Sequence, residues 1–220
     1  MARISLPLFP LPETVFFPHT LLPLHVFEPR YRAMVADCLA GEKRMAVVRL
    51  LPGWEGDYYG RPPVHTVAGA GEVVEAERLS DGRYNILLNG FARVLIEEEI
   101  GSAASYRVAR CRLLEDQVPG AASAALQAGL ETLAASYLRL LREVGRSEEG
   151  LTRLATEAPS AAALLDRVAS VVVVEPALRQ RILETLDLTR RLTLVTAAVS
   201  EALVLARRSG GSPSEGARWN

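Results

Sequence analysis

The stretch LPLFPLPETVFFPHTLLPLHVFEPRYR, residues 6–32, decides how this chain is read. Prolines stand at 7, 10, 12, 18, 23 and 29, with apolar residues between them. Proline fixes φ near about −65° and has no backbone donor, which argues against a helix interior and against a central strand. Each residue before a proline is also pushed toward extended geometry. The pattern predicts two short extended pieces, residues 4–9 and 21–26, joined by a proline-punctuated loop. Glu28 and Pro29 then open a helix, because a carboxylate suits the positive end of the helix dipole and proline suits the first helical position. Tyr31, Met34, Val35 and Leu39 fall on one face of that helix, and Gly41 ends it.

Downstream, residues 44–51 (RMAVVRLL) are apolar nearly throughout and predict a strand buried on both faces. PGWEGDYYGRPP, residues 52–63, is a loop by its glycines and prolines, and it carries Trp54, Tyr58 and Tyr59. Residues 65–79 predict a strand in which Gly69 and Gly71 mark a bulge or a close backbone approach. Ser80-Asp81-Gly82 is a hairpin turn, residues 83–88 return, and Asn89-Gly90 marks a second turn or a bulge before a strand over 91–98. Residues 106–114 alternate as a further strand. Short strands with one helix, spaced by turns, predict a small closed or half-closed β-barrel over residues 1–116.

From residue 117 the period changes. Pro119-Gly120 lies in a linker, and Leu126, Leu130, Leu133, Tyr137, Leu140 and Val144 then step by helical spacing. Ser147 caps a short helix to residue 154, Pro159-Ser160 opens a helix over 161–174, and Pro176 starts one over 177–186. Leu188, Leu192, Val195, Val199 and Leu203 form the stripe of a last long helix. Residues 117–208 therefore predict a helical bundle, and the Gly/Ser/Pro-rich residues 209–220 a disordered tail. The fold class is α+β. The last stripe is accounted for by its own bundle, so it requires no dimer, and the oligomeric state stays open.

Composition narrows the function. The chain has 220 residues, is 49% hydrophobic and 23% charged, and has a net charge of −1, which gives no general attraction for nucleic acid or acidic membrane. No apolar run approaches the ~20 residues of a membrane helix, and Pro7, Pro10 and Pro12 break any signal-peptide core, so a soluble cytoplasmic protein is expected. Cys38 and Cys111 are too few for a disulfide framework or a zinc site and predict buried free thiols.

Catalytic patterns are missing from the text. There is no GxxxxGK[ST] phosphate loop, no dinucleotide fingerprint around Gly69 and Gly71, and no HExxH spacing among His19, His25 and His65. No serine stands in a GxSxG elbow, and Lys43, the sole lysine, follows Gly41 on a turn where a Ser–Lys dyad has no support. Glu97-Glu98-Glu99 reads as a solvated edge. The expectation is a non-enzyme with no cofactor and no metal.

Taken together, the chain resembles the N-terminal substrate-binding domain of the Lon protease family. Residues 6–32 stand in the place of that family's LPLxPLRxxVxFPxxxxPLxV opening. Residues 67–94, VAGAGEVVEAERLSDGRYNILLNGFARV, are similar to its xGTxAxIxxxxxLxDGxxxxxxxGxxRxxI core, and FEPRYRAMV at 27–35 looks like its stand-alone bacterial members. The resemblance implies a PUA-like β-pseudobarrel followed by a helical bundle, and a role in recognising substrate polypeptides. The ATPase and Ser–Lys protease modules of full-length Lon lie beyond the matching text, so proteolysis is not carried over.

The implied function is a non-catalytic polypeptide-binding module, an adaptor or chaperone-like binder whose partners are unfolded or partly folded polypeptides and, beyond them, a protease. The expected contact residues are Phe16, Phe17, Trp54, Tyr58 and Tyr59, the large aromatics of the two loops. Glu28, Arg30, Tyr31 and Arg32 are expected to act structurally, through capping and pairing between domains. The alternative is an RNA-binding PUA-like protein, which would need a basic stripe on Arg93, Arg107, Arg110 and Arg112.

Overall fold

The computed structural model describes residues 2–101, 103–118, 123–146 and 148–208. Two compact units divide the chain, residues 1–115 and 116–220. In the first, strands β1 (Arg3–Leu11) and β2 (Leu21–Val26) precede helix α1 (Pro29–Ala40). Strands β3 (Arg44–Arg49), β4 (Val67–Arg78), β5 (Tyr84–Ile100) and β6 (Arg107–Leu114) follow. The sheet order is β2-β5-β4-β3-β1-β6, and β5 also pairs with β6. Five strands thus close a ring, and β2 sits outside it, on the first part of β5.

The prolines of β1 overturn one expectation, because β1 is a central strand. It runs parallel to β3 from Leu8 to Leu11 and antiparallel to β6 from Arg3 to Leu8. Pro7 pairs with Val108 but precedes the β3 register, and Pro10 pairs with Val48 but lies past the β6 register. Each proline therefore has a ladder partner on one side only, so its missing N–H need not interrupt a second ladder. Pro23 sits in β2, which pairs with β5 alone.

The predicted break at Asn89-Gly90 is a bulge inside one long strand. Gly71 pairs with Gly90 while Ala70 pairs with Ala92, and two further register shifts follow at Val73/Glu75 and Ile96/Glu98. These irregularities let β5 serve β2 at one end and β6 at the other. As predicted, β3 is buried on both faces. Val47 packs with Phe9, Tyr31, Met34 and Val35 beneath α1, whereas Ala46 and Val48 join Leu6, Leu8 and Val94 in a second cluster. Cys38 and Cys111 are buried and free, and burial pushes each thiol up to about 11.

Residues 12–20 lie tightly over the sheet. A Cβ on Gly69 would stand 2.0 Å from the Phe16 carbonyl oxygen, and one on Gly90 would stand 2.3 Å from that of Phe17. The His19 amide donates to the Gly90 carbonyl at 2.8 Å, and the Gly90 amide donates to the Thr20 carbonyl at 2.9 Å. Both alternatives read from the glycines, the bulge and the close approach, are present.

Among its described residues the second unit holds five helices: α2 (Ser123–Glu143), α3 (Glu149–Thr156), α4 (Ala161–Val172), α5 (Pro176–Glu184) and α6 (Leu188–Arg208). Leu126, Leu130, Leu133, Tyr137 and Leu140 of α2 are buried, whereas Val144 lies past the helix end and is exposed. Ser160 caps α4, accepting from the Ala163 amide at 3.1 Å. Two helices stop short of their predicted ends, α4 at Val172 and α5 at Glu184. Glu148 stands at the N-cap of α3. Ser147, the Pro119-Gly120 linker and the tail at 209–220 fall outside the described residues.

A buried charge cluster was not foreseen in this unit. Arg191 and Asp166 are both fully buried; the guanidinium donates to Asp166 at 3.4 Å, to the Thr185 carbonyl at 2.8 Å, and to Asp116. Removing one partner of such a cluster leaves an uncompensated buried charge, at a cost of about 3–5 kcal/mol.

Candidate functional site

The aromatic loop after β3 begins with a 3-10 turn, Trp54–Asp57, entered through Gly53 at a φ of 89°. Its aromatics form a chain of edge contacts, with Trp54 and Tyr58 centroids 5.5 Å apart and Tyr58 and Tyr59 centroids 5.2 Å apart. Three large rings on an irregular loop hold one geometry only if something fixes the backbone beneath them. Arg30, in the first turn of α1, supplies that anchor. Its guanidinium donates to the Tyr58 carbonyl at 3.1 Å and the Tyr59 carbonyl at 3.5 Å. It also lies 4.6 Å, 5.2 Å and 5.9 Å from the ring centroids of Tyr31, Tyr58 and Tyr59.

Glu28 completes the anchor and does not cap the helix with its side chain. One carboxylate oxygen takes the Arg30 Nε–H at 3.1 Å, and the other accepts the Tyr58 hydroxyl at 2.6 Å. Glu28 does stand at the N-cap position, its carbonyl accepting from the Tyr31 and Arg32 amides, but the expectation that its side chain caps the helix is corrected. Pro29 already occupies the first helical position, and the carboxylate turns toward the loop instead. Burial, reinforced by the hydrogen bond to Glu28, pushes the Tyr58 phenol up to about 12.

Between the loop, the start of α1 and the segment entering β6 lies a cleft of about 270 Å³. Arg30, Arg61, Arg107, Tyr31, Tyr58 and Tyr59 contribute to its wall. Arg107 makes a two-pronged pair with Glu99, through Nε at 3.1 Å and through Nη2, and donates to the Pro62 carbonyl at 2.7 Å. Arg61 reaches the same carboxylate only at 4.0 Å, and its side chain is 62% exposed. Tyr106, also on the wall, donates to Asp37 at 2.7 Å; burial first and that bond second push its phenol up to about 12.

Of the five residues expected to contact a polypeptide, the structure brings three together. Trp54 and Tyr58 are half-buried and Tyr59 is 85% exposed. Phe16 and Phe17 are corrected: at 2% and 1% exposure they belong to the core, because residues 12–20 press onto Gly69, Gly71 and Gly90. Sequence reasoning passed over Arg61 and Tyr106 as site residues, and named Arg107 only within the basic stripe. The signal for Arg30 was present in the FEPRYR text but was assigned to helix capping and pairing between domains. Also unforeseen are Leu21, the first residue of β2, and Phe27, just past its end, each 61% exposed.

The arginines of a hypothetical basic stripe are balanced. Arg110 pairs with Glu98 at 2.9 Å and Arg112 with Glu97 at 3.0 Å; Arg107 pairs with Glu99, and Arg93 is buried. The run Glu97-Glu98-Glu99 is thus solvent-exposed at Glu97 and Glu98, as expected, and also forms a ladder of arginine partners across β5 and β6. Among the described residues no group of three His, Cys, Asp or Glu could hold a metal ion, and no helix is long and apolar enough to cross a membrane.

With this geometry in hand, comparison with known proteins is specific. Residues 5–201 match the profile of the family described as the ATP-dependent protease La (LON) substrate-binding domain. The Lon protease of Anaeromyxobacter dehalogenans is 30% identical over 194 residues, covering 86% of this chain and 22% of that protein. Lon protease 2 of Sorangium cellulosum is 29% identical over 206 residues, covering 92% of this chain and 25% of that protein. The chain therefore spans about a quarter of the length of these relatives. Among solved structures, the N-terminal domain of the Mycobacterium avium complex Lon protease superposes with a TM-score of 0.71 at 17% identity, over 90% of this chain and 99% of that one. A Lon N-terminal domain protein from Xanthomonas campestris gives a TM-score of 0.61 at 23% identity, over 88% of this chain and 98% of that one. The α+β architecture is thus that of Lon N-terminal domains, and the chain belongs to the Lon substrate-binding domain family.

Proposed function

We propose that this chain is a recognition module for unfolded or partly folded polypeptide segments, acting as an adaptor or chaperone-like binder, and that the aromatic loop with its cleft is the contact surface. The observation that carries the reading is the anchoring of the loop. Arg30 and Glu28 hold the backbone and the Tyr58 hydroxyl, while the Tyr59 ring stands 85% exposed above a cleft. A rigid, exposed aromatic beside a concavity offers large contact area at little ordering cost, which is how aromatic anchors act at interfaces. Family membership supports the polypeptide as partner. A protease that receives the bound segment is the further partner this reading calls for.

Binding of a fluorescently labelled, chemically unfolded client, followed by anisotropy, tests the reading. The Trp54→Ala/Tyr59→Ala double variant is expected to bind about tenfold or more weakly, the effect of losing a hot-spot aromatic. Its melting temperature should stay near that of the unsubstituted protein. Equal loss of binding and stability would make these rings structural, and unchanged binding would move the contact surface elsewhere.

A further inference from the structure

We infer that the cleft beside the aromatic loop is a carboxylate site, which selects polypeptide segments carrying a carboxyl group next to an apolar or aromatic residue. The inference rests on the polypeptide-binding reading and adds the chemistry that the site recognises. Every charged residue on the cleft wall is an arginine: Arg30, Arg61 and Arg107. The acids that orient two of them, Glu28 and Glu99, are not wall residues. A guanidinium has five N–H donors. Arg30 uses three, toward Glu28, Tyr58 and Tyr59, and Arg107 uses three, toward Glu99 twice and Pro62 once. Arg107 therefore keeps two donors, and Arg30, which also bonds the Tyr31 side chain, keeps one. Arg61 keeps more, since its approach to Glu99 is a 4.0 Å contact with a carboxylate that Arg107 already holds with two bonds.

A carboxylate is the anion these donors fit. Guanidinium pairs it through two parallel bonds, and Tyr31, Tyr58 and Tyr59 stand beside the arginines on the cleft wall. The cleft volume of about 270 Å³ is below that of an ordinary drug-sized pocket and suits one terminal residue or one acidic side chain. A nucleic-acid backbone fits less well. Arg110 and Arg112, which would extend a phosphate track, are matched by Glu98 and Glu97, and Glu55 and Asp57 on the aromatic loop repel a polyanion.

Four labelled peptides of one aromatic-rich sequence test the inference by anisotropy: a free C-terminal acid, its C-terminal amide, an amide with one internal Asp, and an amide with Asn at that position. The acid is expected to bind about tenfold tighter than the amide, as for a hydrogen-bonded charge. That preference should vanish in Arg61→Ala and partly return in Arg61→Lys. Arg61 is exposed, so the fold should withstand both changes, which circular dichroism checks. If the internal Asp peptide regains the affinity, the side-chain carboxylate is the ligand; if only the free acid does, the chain terminus is. Equal binding of all four, lost in Trp54→Ala/Tyr59→Ala, would overturn the carboxylate site and leave polypeptide binding standing. Binding of none would overturn both, and displacement of the acid peptide by an oligonucleotide but not by acetate would reassign the cleft to phosphate.

Discussion

Two loops of the first unit, residues 12–20 and 52–63, each place adjacent aromatics among prolines or glycines, yet Phe16-Phe17 and Tyr58-Tyr59 have opposite fates. The first pair is buried by backbone. Its carbonyls lie where glycines in β4 and β5 leave no Cβ in the way, and main-chain hydrogen bonds through Gly90 fix the path. The second pair is held by side chains reaching out from α1, and the rings stay at the surface. A loop seated on glycines becomes part of the core. A loop held from beneath by an arginine and a glutamate can be rigid and still present its aromatics to solvent.

The largest test of that contrast is Phe16→Ala, expected to cost about 3–5 kcal/mol in a denaturant titration. A cost below about 1 kcal/mol would mean that the loop collapses onto the sheet without its ring. Next is Gly69→Ala, which forces a Cβ against the Phe16 carbonyl and should cost roughly 1–3 kcal/mol or more, as overpacking does. Thermal melts of this variant that match the parent would show that the approach is looser than drawn.

Tyr58→Phe removes the bond to Glu28 and should cost about 1 kcal/mol while speeding amide exchange in residues 54–59. Burial and the same hydrogen bond also give a pH effect. The Tyr58 phenol is raised from its ordinary value near 10 to about 12, so the folded state holds this proton more tightly. The resulting stability is complete below about pH 10 and is lost as pH rises toward 12. An alkaline absorbance titration should show one late-titrating tyrosine fewer in Tyr58→Phe. The smallest effect is on the stability of Tyr59→Ala, expected within about 0.5 kcal/mol of the parent; a larger loss would erase the distinction between the loops.

The sequence was legible where spacing has one physical meaning. Pro29 and Gly41 bracket α1, Ser80-Asp81-Gly82 turns the β4–β5 hairpin, and the apolar run of β3 is buried on both faces. It was ambiguous where a residue's role depends on a partner far along the chain. Phe16 and Tyr59 look alike locally, and only the glycines at 69, 71 and 90 hinted that the first loop is pressed onto the sheet. Arg30 reads as a helix-start cation until its bonds to residues 58 and 59 are seen. Asp166 and Arg191 belong to different helices, and nothing near either one announces the other.

The ring of the first unit is sealed by β1, which pairs with β3 on one side and β6 on the other, so Ile4 faces Cys111. During synthesis β1 is made before the other strands of the unit, but its second partner, β6, is made after them. The β4–β5 hairpin can form from neighbouring residues, whereas the β1–β6 seam waits for contacts of very long sequence separation, which fold slowly. Until then one edge of β1, with the apolar side chains of Leu6 and Leu8, has no strand beside it. The nascent unit thus displays for a time the kind of extended, unpaired segment that the finished protein is proposed to bind in others.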